Sequence, residues 1–147
     1  MKAPNPRFRI YTRFGHYIRF FWDLLFPGPA PGQSRVLLER ELCKTLSTPH
    51  AATVPQGRVG IYLAIQAVVK PGQKVILSPY TIADVINMVI CAGAVPVFAD
   101  IDRPSTNLSA SEVRKLIDAN TAAVMVTHLH GIPCEIEEIS VLCKEKR

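Results

Sequence analysis

The sequence predicts an α/β fold, a three-layer, mostly parallel sheet flanked by helices, on three observations. Short Val- and Ile-rich runs alternate with helical stretches of about ten residues or more, which is the signature of βαβ units. Two of those runs, Val75-Ile76-Leu77 and Val124-Met125-Val126, are apolar without alternation, as strands covered on both faces must be. Pro71-Gly72 and Gly93 punctuate the junctions where helices stop and strands begin, and Gly131-Ile132-Pro133 leads into the last helix.

The elements follow in order. Residues 1–26 hold eight of the eleven aromatics and Lys2, Arg7, Arg9, Arg13 and Arg19 against Asp23 alone, so most of the net charge of +5 sits there. Phe14, Tyr17, Ile18, Phe21, Leu24 and Leu25 fall at helical spacing on one face. The stretch Pro27-Gly28-Pro29-Ala30-Pro31-Gly32 cannot continue a helix and reads as a semi-rigid linker. Residues 1–32 are therefore an arm and linker, and residues 33–147 a domain. Ser34 is placed to cap a helix over 35–47, and an extended run is expected at Ala51–Val54. Then come a helix from Gly57 to Val69, a strand at Lys74–Ser78, a helix from Thr81 to Ala92 and a strand at Val95–Ala99. Ser109 with Glu112 forms a capping-box pattern for a helix over 110–119. A strand at Ala122–Thr127 and a helix from about residue 135 complete the series. Crossovers should be right-handed, and ligands should bind beyond the carboxyl ends of the strands.

Composition narrows the class. At 48% hydrophobic and 20% charged residues the chain is globular, and no apolar run reaches the length of a membrane span. Cys43, Cys91, Cys134 and Cys143 contain no C-x-x-C pair, which argues against zinc and against a disulfide framework. The first residues lack a signal-peptide pattern, since Arg13, His16, Arg19 and Asp23 break their apolar stretch. The expected compartment is cytoplasmic.

Candidate chemistry gathers at a few places. Val54-Pro55-Gln56-Gly57-Arg58-Val59-Gly60 leads an extended run into a helix, whose first amides can hold a phosphate while Gly57 permits close approach and Arg58 adds a charged donor. A plain helix start with a surface arginine reads equally from these residues. His128 and His130 could share a strand face as metal ligands but lack an evident third ligand. Asp100 and Asp102 suit either a paired-carboxylate site or a turn, and Cys134 either a thiol activated near a helix start or an inert one.

Taken together, certain pieces resemble one family. They are Gly57-Arg58-Val59 with Ile61-Tyr62-Leu63-Ala64, Pro71-Gly72-Gln73-Lys74-Val75-Ile76, Ser78-Pro79-Tyr80-Thr81, Gly93-Ala94-Val95-Pro96-Val97-Phe98-Ala99-Asp100-Ile101-Asp102, Asn107, Ala122 to Thr127 and His128-Leu129-His130-Gly131. From about Ser34 to Arg147 this order is similar to the DegT/DnrJ/EryC1/StrS aminotransferases. That resemblance implies the N-terminal portion of the fold-type-I large domain that binds pyridoxal 5'-phosphate (PLP). It implies amino-group transfer, with glutamate as donor, to a keto-sugar nucleotide, and a homodimer when complete. The amides of Arg58 and Val59 beside Gly57 would hold the PLP phosphate. Position 82, usually aromatic in relatives, is Ile82, so the ring would meet an aliphatic surface or Tyr80. The family's aspartate for the pyridine nitrogen and its Schiff-base lysine have no counterpart up to Arg147, and Lys70, Lys74 and Lys115 fall in the wrong elements. No catalytic residue is therefore expected within the chain, which would be inactive alone. The alternative is a non-catalytic module derived from that family. Residues 8–26, outside the resemblance, would either lie at a membrane surface or pack on protein, and nucleic acid is the least suited partner.

Overall fold

The computed structural model describes residues 12–26, 28 and 32–145. Two compact units are present, Met1–Thr53 and Val54–Arg147, so the helix expected to open the domain groups with the N-terminal residues.

The first unit contains α1 (Phe14–Leu25) and α2 (Gln33–Thr45). Residues 8–11 of the expected arm helix, and most of the linker, lie outside the described residues. Helix α2 starts earlier than its Ser34 signal. Gly32, at φ 100°, takes the cap position, because a left-handed backbone suits glycine, and Ser34 falls inside the first turn. The run Ala51–Val54 forms no strand. Glu39 secures it instead: one carboxylate oxygen accepts from both the amide and the hydroxyl of Thr53, each at 2.8 Å. Those two bonds hold the Glu39 carboxyl below its ordinary value.

The second unit runs α3 (Gly57–Val68), β1 (Lys74–Leu77), α4 (Ala83–Cys91), β2 (Val95–Phe98), α5 (Ala110–Leu116), β3 (Thr121–Met125), one 3-10 turn (Leu129–Gly131) and α6 (Ile136–Glu145). All three strands are parallel, in the order β2-β1-β3, with Lys74 opposite both Val95 and Thr121. Each strand ends one or two residues before its expected bound, although the Ala99 amide just past β2 still donates to the Leu77 carbonyl at 3.1 Å.

Turns at the amino ends of β1 and β2 lock together. Gly72 (φ 82°) donates to the carbonyl of Gly93 at 2.8 Å. Gly93 (φ 79°) has Pro71 so near that an added Cβ would sit 3.5 Å from its side chain. The capping box expected at α5 does not form. Ser109 turns its hydroxyl to Ser111 and Glu112 pairs with Lys115, while the Ala110 amide donates to Glu135 at 3.3 Å. The Ser109 amide, which Glu112 was expected to meet, donates instead to the Asp100 carbonyl at 3.2 Å.

Alternation along β1 divides the core. Val75 and Leu77 join Ile65, Val85 and Val89 under α3 and α4, whereas Ile76 joins Leu108, Val113, Ile139 and Leu142 under α5 and α6. This is the expected three-layer α/β arrangement. Residues 75–77 of the central strand are buried, but β3 is half-buried along its whole length.

Candidate functional site

The carboxyl ends of the strands open toward the first turns of α3 and α4. Gln56 precedes α3 in extended conformation (φ −149°, ψ 146°) and offers no side-chain cap. The first amides of a helix have no intrahelical acceptor. Here those of Val59 and Gly60 donate to the Gln56 carbonyl at 3.1 and 3.2 Å, whereas among the described residues no acceptor meets the amides of Gly57 and Arg58. A Cβ at Gly57 would touch nothing within 4 Å, so the space beside this turn is open.

Helix α4 is aimed by the loop after β1. The Ser78 side chain is buried, and its hydroxyl accepts from the Tyr80 amide at 3.0 Å. The chain turns, and Ile82 becomes the residue before α4 (φ −75°, ψ 140°). Gln56, Gly57, Arg58, Ile61, Ile82, Asp84 and Val85 line a cleft of about 510 Å³. Ile61, Ile82 and Val85 also line a second, apolar cleft of about 590 Å³, which continues over Val124, Val126, Thr127 and Leu129. Ile82, 71% exposed, stands where the two meet.

One feature of this electrostatic setting was not readable from the sequence. Arg58 reaches across the cleft to Asp84, with Nη1 3.2 Å from Oδ2 and both side chains about half exposed. Asp84 is the acid in the first turn of α4, where it complements the helix dipole. Only that local signal was available, and its pairing with Arg58 depends on how α3 and α4 pack.

Gly57, Arg58 and Ile82 therefore come together around one cleft. Val59 is engaged in starting its helix, and Tyr80 stands apart, its ring 6.2 Å from that of His130. The histidines do not form a metal pair. The strand has ended before them, the Nδ1 of His128 accepts from the Cys134 amide at 2.9 Å, and His130 adopts a left-handed conformation (φ 54°) in the 3-10 turn. Among the described residues no cluster of three or more metal-ligating side chains occurs. Asp102 performs turn chemistry, accepting from the amide and hydroxyl of Ser105 at 3.0 and 2.7 Å. Cys134 is buried, its thiol donates to the Leu108 carbonyl at 3.2 Å, and burial pushes its pKa up, so it is not an activated thiol. Asn107 has a structural role that spacing could not reveal. Buried, it donates to the Ile132 carbonyl and accepts from the Leu129 amide, both at 2.9 Å, fixing the loop beyond β3.

PLP combines a dianionic phosphate with an aromatic ring. The open amides of Gly57 and Arg58 fit the phosphate, and Ile61 and Ile82 fit an apolar ring edge. An amine for the aldehyde is not supplied by the described lysines of this unit. Lys74 begins β1 and pairs with Asp118, Lys70 precedes it, Lys115 pairs with Glu112, and Lys144 lies beside Thr121 at the start of β3.

The model of the DegT/DnrJ/EryC1/StrS aminotransferase family matches residues 30–147. GDP-perosamine synthase of Vibrio cholerae is 36% identical over 108 residues, covering 73% of this chain and 29% of that protein. The X-ray structure of an aminotransferase from Psychrobacter cryohalolentis superposes with a TM-score of 0.81 at 25% identity, covering 98% of this chain and 36% of that one. The PLP form of Streptococcus pneumoniae Spr1654, assigned as a sugar aminotransferase, gives 0.81 at 23% identity, over 92% of this chain and 35% of that one. The present chain thus spans about a third of the length of these proteins.

Proposed function

The chain belongs to the DegT/DnrJ/EryC1/StrS aminotransferase family, and from that premise we propose that it forms the PLP-phosphate-binding part of a sugar aminotransferase. The overall reaction would move an amino group from glutamate to a keto-sugar nucleotide. One observation carries the assignment. The α3 amino terminus presents two amides without protein acceptors to a cleft walled by Ile61 and Ile82. Gly57 and Arg58 bind the phosphate by backbone donation, aided by the helix dipole. Ile82 gives the ring an aliphatic surface, and the second apolar cleft keeps water from its far side. Bound there, the pyridoxal group supplies an electron sink for negative charge on the carbon that bears the migrating amine. The described lysines of this unit lie outside the elements that form the phosphate site, so the amine for the aldehyde and the acid for the ring nitrogen would come from outside the described residues.

Titration with PLP, pyridoxal and inorganic phosphate tests the assignment. PLP should bind weakly, phosphate should displace it, and pyridoxal should bind less well. Borohydride reduction should label no single lysine in stoichiometric yield. Equal binding of pyridoxal would remove the phosphate site, and one lysine labelled stoichiometrically would remove the claim that the amine lies elsewhere.

A further inference from the structure

The basic aromatic arm precedes residue 30, where the family match begins, and the site described above makes no use of it. Helix α1 has twelve residues, none of them buried. At about 100° per residue its apolar side chains fill an arc of roughly 200°. Phe21 is central with Phe14, Tyr17 and Leu25 beside it, Ile18 and Leu24 lie outside these, and Phe20 and Trp22 form the flanks. These eight side chains are 55–80% exposed. Gly15, His16, Arg19 and Asp23 complete the circle as a narrow polar face, on which Arg19 lies 3.9 Å from Asp23. Arg13 occupies the cap position, and the sequence before it adds Lys2, Arg7 and Arg9 without an acid.

We infer that α1 and its basic flank are a membrane-surface anchor whose partner is an anionic lipid interface. The helix is about 18 Å long, too short to cross a hydrocarbon core of about 30 Å, and no helix among the described residues is long and apolar enough to span one. A wide apolar arc opposite a thin polar strip suits a helix lying flat at the headgroup boundary, where Trp22, at the edge of the arc, places its indole N–H against water. Charge chooses the lipid. Five cations against one acid in residues 1–26 complement anionic headgroups and repel a second copy of the same arm. This inference is independent of the aminotransferase reading.

Trp22 is the only tryptophan in the protein, so the full chain reports on its own arm. With vesicles of phosphatidylcholine and phosphatidylglycerol, its emission should shift to shorter wavelength and be quenched by brominated acyl chains. Pure phosphatidylcholine should produce much less of either, and added salt should reverse the effect. Phe21→Glu or Leu25→Glu, each leaving the reporter in place, should weaken binding about tenfold or more. Arg9→Gln and Arg13→Gln should each weaken binding to the anionic vesicles about fivefold, without effect on neutral ones. Equal binding to both vesicle types overturns the inference. So does emission unchanged by either, whether it is already at short wavelength from contact with another copy or remains that of a tryptophan in water.

Discussion

The Arg58–Asp84 pair makes a quantitative demand on the proposed phosphate site. At 3.2 Å and half exposure it resembles surface ion pairs worth about 0.2–1 kcal/mol. An incoming phosphate must compete with Asp84 for the guanidinium and also tolerate a carboxylate on the same cleft wall. Asp84→Asn removes both handicaps. By that estimate it should strengthen PLP binding by up to about fivefold, since 1 kcal/mol is about a fivefold change in an equilibrium constant. Arg58→Gln removes the charged donor and leaves Asp84 unpaired, so it should weaken binding about tenfold, at the low end for hydrogen bonds to charged groups. In the double variant the gain from Asp84→Asn should shrink, because the competition it relieves no longer exists. Calorimetric titration with PLP, and with inorganic phosphate as a ring-free control, provides the numbers. Weaker binding by Asp84→Asn, or equal gains with pyridoxal, would refute a phosphate held between these residues.

Other expectations follow from the fold. Asn107→Leu should lower stability by about 1–3 kcal/mol for each partner group left without a hydrogen bond, measured as a shift in urea midpoint, because the Ile132 carbonyl and the Leu129 amide both depend on Asn107. Toward a thiol reagent, exposed Cys91 should react quickly and buried Cys134, with its raised pKa, only on unfolding. Equal rates under native conditions would contradict the packing of the core under α5 and α6. The Asp118 carboxyl is held below its ordinary value, first by Lys74 and then by Thr121. A lowered folded value means the stabilisation is complete above the unfolded pKa and is lost as pH falls through the folded one. Lys74→Met should therefore be destabilising at neutral pH, with a penalty that disappears at acid pH, and a pH-independent penalty would assign it to packing alone.

Sequence alone disclosed the fold to the degree that burial and turn chemistry are local. Apolar runs located β1, β2 and β3, and glycines that need a positive φ, Gly72 and Gly93, located two junctions. Errors arose where a distant group replaced a local one. At α5 the Ser109 amide, which Glu112 was expected to meet, donates instead to the Asp100 carbonyl, and Glu39, not a neighbour in sequence, fastens the extended run at Thr53. At the candidate site, Gly57 and Arg58 were found because helix starts carry their own signature. Asp84 was missed because its pairing requires knowledge of how α3 and α4 pack. The spacing of His128 and His130 left a shared strand face open as a reading, and the strand ends at Met125, before either of them.

The two edges of the sheet are built differently. On β2, Pro96 lacks an amide to donate, which blunts that edge against further pairing. On β3, Thr121-Ala122-Ala123-Val124-Met125 contains neither proline nor charge, and its residues are half-buried although apolar on both faces. Ala123 and Met125 meet the core under α3 and α4, and Val124 the core under α5 and α6. Parallel sheets are stable when helices cover both faces and neighbours flank each strand. In this sheet β1 meets that condition and β3 meets half of it. The apolar cleft of about 590 Å³ runs along this same side, over Val124, Val126 and Leu129. An open edge and an open apolar groove on one side are a single feature, a surface suited to one more parallel strand and its covering helix. Expressed alone, the second unit should therefore associate through β3 as its concentration rises. Light scattering checks this, and Val126→Lys, beyond the paired strand but on the groove, should suppress it. A monodisperse monomer that melts in one sharp transition would mean that β3 is a finished edge.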